Sequence, residues 1–554
     1  MNKFFKVTGI IGLTALLLAG CSSDSNATND SSQAASSSST QMATEQAIDV
    51  SLPAQLSTLD TTQTTDKVTF TVAQQIFEGL YRLDETSTPV PGLAESVDIS
   101  DDGLVYTFHL RDDIHWSDGT PITSNDFMYA WKKLVTPETA APNAYWLDSV
   151  VNSADARQGN ADVDSIGLAA PDDQTFEVTL ANPQSSFLSV ISIAWLAPQN
   201  EEYVEALGDD YASSSENMIY SGPFILENWS QVSNTWTLTK NPEYYDADVV
   251  QLATVEGSTI VEENTGINMF DTGELDLTRI SGQFVQQFQD SEALVNQQEI
   301  SNYFLDFNKT TNDALANAHL RKAIALAIDK EGLVNNVLAD GSTVLNGLIP
   351  ANLYTNENTG EDFRAYSGEY NVYDLDAAAE EWEQATSELG DSISLSLLAN
   401  DSDNGKRIAE YIQAQLQDNL EGLTVTIDQQ PSNNLNQSRR DGNYEMSLSG
   451  WIAGSNDLNS YFNLYRSGSS YNYGGYENEE YSALVEQANT TDANDIDAMF
   501  TDYQAAEEIL LAEDAAQVPL YQSAANYLVN PNLQNVIYHS YGDYYNFREA
   551  YLTE

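Results

Sequence analysis

Residues 393–427 constrain this chain more than any other stretch. Ile393, Leu395 and Leu397 alternate with polar residues at the period of a half-buried strand. Ile408, Ile412, Leu416 and Leu420 then recur every fourth residue, the spacing of one helix face, and Leu423, Val425 and Ile427 alternate again. Strands joined through a helix run parallel, and the crossover is expected to be right-handed. The fold class is therefore α/β. A further strand, Tyr444 to Leu448, runs into Ser449-Gly450-Trp451. Open α/β sheets hold ligands beyond the carboxyl ends of their strands, which puts a loop from Gly450 to Asn459 where a ligand would sit.

Other segments are shorter but legible. Ile48 to Leu56 predicts a strand, and Val72, Ile76, Phe77 and Leu80 predict a helix after it. Leu104 to Leu110, Asp173 to Leu180 and Asn234 to Lys240 are rich in aromatic and branched residues and predict strands. Leu320, Ala323, Ile324, Ala327 and Ile328 form a strongly periodic helical block. No fixed-period repeat is present.

A chain of 554 residues, 42% of them hydrophobic, has room for two or three subdomains, and with one cysteine it must be stabilised by burial and not by disulfides. Its 84 acidic and 21 basic residues give a net charge of -63. Such a field repels nucleic acid, which is excluded as a partner, and suits a solvated surface outside the cell.

The lone cysteine, Cys21, closes an export signal: Lys3 and Lys6, an apolar run from Ile10 to Leu18, then Leu18-Ala19-Gly20-Cys21. The run is about half of the ~20 residues a lasting span needs. The site resembles the lipobox of bacterial lipoproteins, in which the cysteine is acylated and becomes the new N-terminus; the alternative is an ordinary secretory signal with a chance cysteine. Residues 1–20 are expected to be a signal peptide and 21–46 a lipidated flexible tether, too polar to fold.

Catalytic chemistry has no positive support. His109, His115, His319 and His539 are scattered, and no HExxH, CxxC, GxSxG, P-loop or dinucleotide pattern is present. No cofactor and no metal are expected.

Gly92-Leu93-Ala94-Glu95-Ser96, Asp101-Asp102-Gly103, Tyr106 to Arg111, Trp116 to Thr123 and Asp126-Phe127 form one ordered pattern. It closely resembles the signature of the family 5 solute-binding proteins of ABC importers, the oligopeptide and dipeptide binders. Further blocks keep the family order, among them Gly222-Pro223-Phe224, Leu320-Arg321-Lys322-Ala323 and Tyr373-Asp374-Leu375-Asp376. The resemblance implies a two-lobed periplasmic-binding-protein-like fold (type II, cluster C) with an extra inserted subdomain. Residues 47–85, 217–306 and 516–554 would build the lobe I core, 86–216 the inserted domain, and 307–515 lobe II. Most signature residues have a plain folding role: glycines for turns, Trp116 and Phe127 for packing.

For binding, the resemblance puts backbone contacts to an extended peptide at Gly450, Trp451 and Ile452, where Trp451 either walls the ligand or packs in a core. The aspartate that relatives place after this tryptophan to hold the peptide amine is absent, with Gly454 at that position; Asp457 keeps a later acidic position. Blocking the ligand's N-terminus is therefore expected to cost little affinity. Arg439 matches a position able to meet a ligand carboxylate, or else sits in a surface turn with an acidic neighbour. Tyr145 and Trp146 fall where relatives set an aromatic of the inserted domain against the ligand, and Asp306 at an acidic position near the lobe crossing.

The function implied is that of a receptor, monomeric and anchored by lipid at the extracellular face of a bacterial, Gram-positive, cell membrane. It would bind oligopeptides and pass them to the permease and ATPase subunits of a peptide ABC importer. Alternatives are a receptor for one signalling peptide such as a pheromone, a nickel or haem receptor disfavoured by scarce histidines, and an anchored secreted peptidase or adhesin.

Overall fold

This computed structural model describes residues 41–554. The signal segment, Cys21 and nearly all of the expected tether lie outside the described residues. Two mixed sheets organise the chain. The seven-stranded sheet has the order Leu294–Gln298, Ala524–Val529, Leu277–Ile280, Ala47–Leu52, Thr254–Thr259, Thr235–Lys240, Phe224–Glu227. The six-stranded sheet has the order Thr343–Val344, Gln517–Gln522, Ser301–Phe307, Met446–Ile452, Ile393–Asn400, Leu423–Gln430. A four-stranded antiparallel sheet, Ala94–Ile99, Val105–Leu110, Thr175–Thr179 and Leu168–Asp172, lies within the segment read as inserted.

The β-α-β unit is present as expected: Ile393–Asn400 pairs in parallel with Leu423–Gln430, register Ile393↔Leu423, and the helix Asp403–Asn419 joins them. Its face of Ile408, Ile412 and Leu416 is buried. The signature residues build turns and helix starts. Asp118 accepts from Thr120 N at 2.9 Å and Gly119 adopts φ 84°, which closes the Trp116–Thr120 turn. The Asp126 carboxylate accepts from Thr123 N at 2.7 Å and from Thr123 Oγ1 at 2.9 Å, capping Ser124–Val135. Asp374 caps Leu375–Leu389 by accepting from Asp376 N and Ala377 N. That helix packs along Ala318–Leu326, over a core shared with the six-stranded sheet.

The chain passes between the two large sheets twice, side by side. Glu299–Ile300 joins Leu294–Gln298 to Ser301–Phe307, and Ser523 alone joins Gln517–Gln522 to Ala524–Val529. The crossings therefore differ from the boundaries expected after residues 306 and 515, because strand pairing assigns Ser301–Phe307 and Gln517–Gln522 to the six-stranded sheet. The crossings are bonded to each other: Glu299 N donates to Ser523 O at 2.9 Å, and Ser523 Oγ to Glu299 Oε2 at 3.0 Å. Lys67 reaches Glu299 Oε1 at 3.3 Å; although burial opposes ionisation, Lys67 and Arg279 hold this carboxyl below its ordinary value.

A second difference concerns the core. Apolar residues from Ala453 to Leu511, including Tyr461, Phe462, Phe500 and Tyr503, pack with the core of the seven- and four-stranded sheets, not with the core beneath the six-stranded sheet.

Candidate ligand-binding cleft

The strand Met446–Ile452 is the centre of the site. It pairs along its whole length with Ser301–Phe307, antiparallel, register Ser301↔Ile452 to Phe307↔Met446. On its other edge it meets Ile393–Asn400 only at Leu397↔Met446 and Leu398↔Ser447. From Leu448 to Ile452 that edge has no strand partner. Backbone donors and acceptors there must bond to something, so the strand offers an extended ligand a row of unused groups. The sequence reading ended this strand at Leu448 and made Gly450-Trp451-Ile452 a loop. Pairing with Ser301 to Tyr303 keeps these residues extended. Gly450 is needed because a Cβ there would stand 2.7 Å from the Tyr303 ring.

Two cavities flank the strand. The larger, about 490 Å³, runs past Leu448, Gly450 and Ile452 to Asn400 and Ser402 at the carboxyl end of a neighbouring strand, the end expected to face a ligand. The smaller, about 280 Å³, is walled by Phe304, Trp451, Tyr465, Tyr471 and Tyr473. Phe304, Asn436, Arg439 and Gly450 line both.

Arg439 stands between the cavities, in the last turn of the helix Ser432–Arg440, where a cation complements the helix dipole. Its guanidinium lies 5.3 Å from the Tyr473 ring centre and 6.0 Å from that of Phe304. Nη2 is 3.6 Å from Asp306 Oδ2, an ion pair beyond hydrogen-bond reach. Asp306 is buried and engaged elsewhere: Tyr444 Oη donates to Oδ2 at 2.7 Å and Tyr465 Oη to Oδ1 at 3.2 Å. Gln517 Nε2 donates to Tyr465 Oη at 2.9 Å, and Asn302 Nδ2 to Gln517 Oε1 at 3.0 Å. Burial and the Asp306 charge push both phenols well above their ordinary range, so they remain donors. Asp306 thus stands behind Arg439 in the lining of the smaller cavity.

Trp451 is half-buried, donates Nε1–H to Ser460 Oγ at 2.9 Å and meets Tyr471 edge-on at 5.2 Å. Asp457 Oδ1 accepts from Asn459 N at 2.9 Å, and burial pushes its carboxyl up to about 6. Tyr145 and Trp146, on the short turn Ala144–Leu147, line neither cavity. Trp146 stacks on Trp195 at 5.1 Å and covers Gly454, where a Cβ would lie 2.6 Å from its ring. Gly454 is therefore the residue that admits Trp146.

Sequence reasoning missed Phe304, Tyr465, Asn436 and the Tyr471/Tyr473 pair; the run Tyr471-Asn472-Tyr473-Gly474-Gly475-Tyr476 was the available signal. Among the described residues no group of three or more His, Cys, Asp or Glu could hold a metal, and no helix is long and apolar enough to cross a membrane.

These features define an α/β binding protein with a groove along an unpaired strand edge. Residues 88–473 match the bacterial extracellular solute-binding proteins, family 5, middle region. The dipeptide-binding protein of Lactococcus lactis subsp. cremoris is 30% identical over 564 residues, 99% of this chain and 99% of its own. Peptide-bound OppA of Listeria monocytogenes is 34% identical with a TM-score of 0.72, covering 92% of this chain and 100% of its own. The unliganded open form of MppA, a periplasmic murein tripeptide binding protein, is 26% identical with a TM-score of 0.81, covering 93% and 99%. The chain belongs to family 5 of the bacterial extracellular solute-binding proteins, and it is a binder and not an enzyme.

Proposed function

We propose that this protein captures oligopeptides along the Leu448–Ile452 edge and delivers them to a peptide ABC importer. The observation that carries the reading is the unpaired strand edge. Main-chain pairing grips what every peptide shares, while the flanking cavities receive side chains. The Lactococcus and Listeria relatives, named for dipeptide and peptide binding, support it. The TM-score is higher against an unliganded open form than against a peptide-bound one of greater identity. That supports a receptor whose sheets swing about the Glu299–Ile300 and Ser523 crossings, with ligand favouring the closed state by its extra contacts. Acylation at Cys21 would keep the receptor near its permease at high effective concentration.

The test is mass spectrometry of ligand retained by the native protein, with peptides of defined sequence incubated alongside. Stoichiometric retention of intact peptide is expected. Cleaved peptide, or no peptide in either arm, overturns the reading. In the same assay N-acetylated ligands should bind nearly as well as free ones, since Trp146 covers the position where an amine clamp would stand; a loss of about 100-fold, some 2.7 kcal/mol, would contradict that.

A further inference from the structure

Arg439 is the least satisfied charged group in the cleft. Its side chain is 13% exposed, yet among the described residues its guanidinium makes no hydrogen bond; Nε is buried without a partner, and Asp306 stands at 3.6 Å. A guanidinium carries five donors in a planar fork matched to a carboxylate, and buried donors are rarely left unused. The surroundings sharpen the point. In a chain of 84 acidic residues, no Asp or Glu lines the larger cavity, and the only one lining the smaller is Asp306, held by two phenols. Arg440 adds a second cation to the smaller cavity. The remaining polar lining of the larger one is neutral: Asn400, Asn404, Asn436, the serines at 402, 432 and 449, and the tyrosines at 303 and 521.

We propose that the cleft selects its ligands by charge: a peptide is held with an acidic side chain against Arg439, and lysine or arginine is excluded from both cavities. This rests on the peptide-binding reading and adds a sequence preference to it. The long-range field of the acidic protein acts the other way, but at physiological ionic strength it is screened beyond about 8 Å, so the contact with Arg439 decides affinity. An acidic side chain would accept from the fork in a charge-assisted pair. A lysine in the same place would meet a like charge with no free carboxylate to offset it.

The test is calorimetry on the full chain with alanine hexapeptides carrying Glu, Gln or Lys at one central position, each as the free acid and as the C-terminal amide. Glu is expected to bind at least about ten-fold more tightly than Gln, and Lys more weakly than Gln, in the amides as well as the acids. Arg439→Gln should level the three and Arg439→Lys should keep the order; the wild-type series decides even if Arg439→Gln fails to fold beside the unpaired Asp306. Equal binding of Glu, Gln and Lys overturns the proposal and leaves peptide capture standing. Loss of binding on amidation whatever the side chain assigns Arg439 to the ligand C-terminus and overturns it too. Absence of binding by every peptide overturns both this proposal and the peptide-binding reading.

Discussion

Asp457 lines neither cavity, and its carboxyl bears on stability instead. Its carboxyl is pushed from 3.8 to about 6 by burial, with one backbone N–H, from Asn459, working against the shift. The folded state therefore holds its proton more tightly than the unfolded chain, and stability from this group is lost as pH rises from about 4 through 6. Asp457→Asn keeps an oxygen for Asn459 N. It should raise stability at pH 7 by up to about 3 kcal/mol, an upper figure for a two-unit shift, with no gain at pH 4 and below. Urea unfolding at the two pH values checks this; a gain of equal size at both would remove the carboxylate as the cause. Gly454 and Trp146 are read together at the same scale. By resemblance alone, Gly454 reads as the absence of an amine clamp. Its second meaning, room for an indole from about 300 residues earlier in the chain, exists only once the two segments are brought together.

At the scale of elements, Met446–Ile452 carries the function. Its alternation was legible, since buried Met446 and half-buried Leu448 follow the strand period. Its continuation through Gly450 was not, because the glycine interrupts the strand signal that Trp451 and Ile452 carry; the partner Ser301–Phe307, far off in sequence, holds the segment extended. A ligand paired to this edge offers alternate amides to the protein. N-methylation of successive ligand amides should therefore weaken binding with a period of two, by about ten-fold at the bonded positions, as for one net hydrogen bond. A uniform effect along the peptide, measured by competition, would argue against main-chain pairing. The β-α-β unit was read correctly at both strands and the helix because it is local: each element's apolar face is written at one period and closes on its immediate neighbour.

For the whole molecule the dominant quantity is the net charge of -63. If acidic peptides are favoured at contact, they must still approach through a repulsive field, so their association rate should rise as salt is raised from about 10 to 150 mM while that of neutral peptides stays level. Stopped-flow fluorescence from the tryptophans follows this, and a falling rate for acidic ligands would show that the local field at the groove reaches beyond the protein surface. The larger geometry also sits at this scale. Two adjacent crossings, pinned by Glu299, Ser523 and Lys67, are the only direct strand-to-strand passages between the large sheets among the described residues. By itself the sequence determined the α/β class, the local units, the capped turns of the signature and, by resemblance, the family, because these depend on neighbouring residues or on long ordered motifs. Only the tertiary structure decided where the chain changes sheets, which core the segment after Ala453 joins, that Trp146 roofs Gly454, and that Arg439 is left without a hydrogen bond. Each of these depends on groups distant in the chain meeting in space, and no local period or spacing records such a meeting.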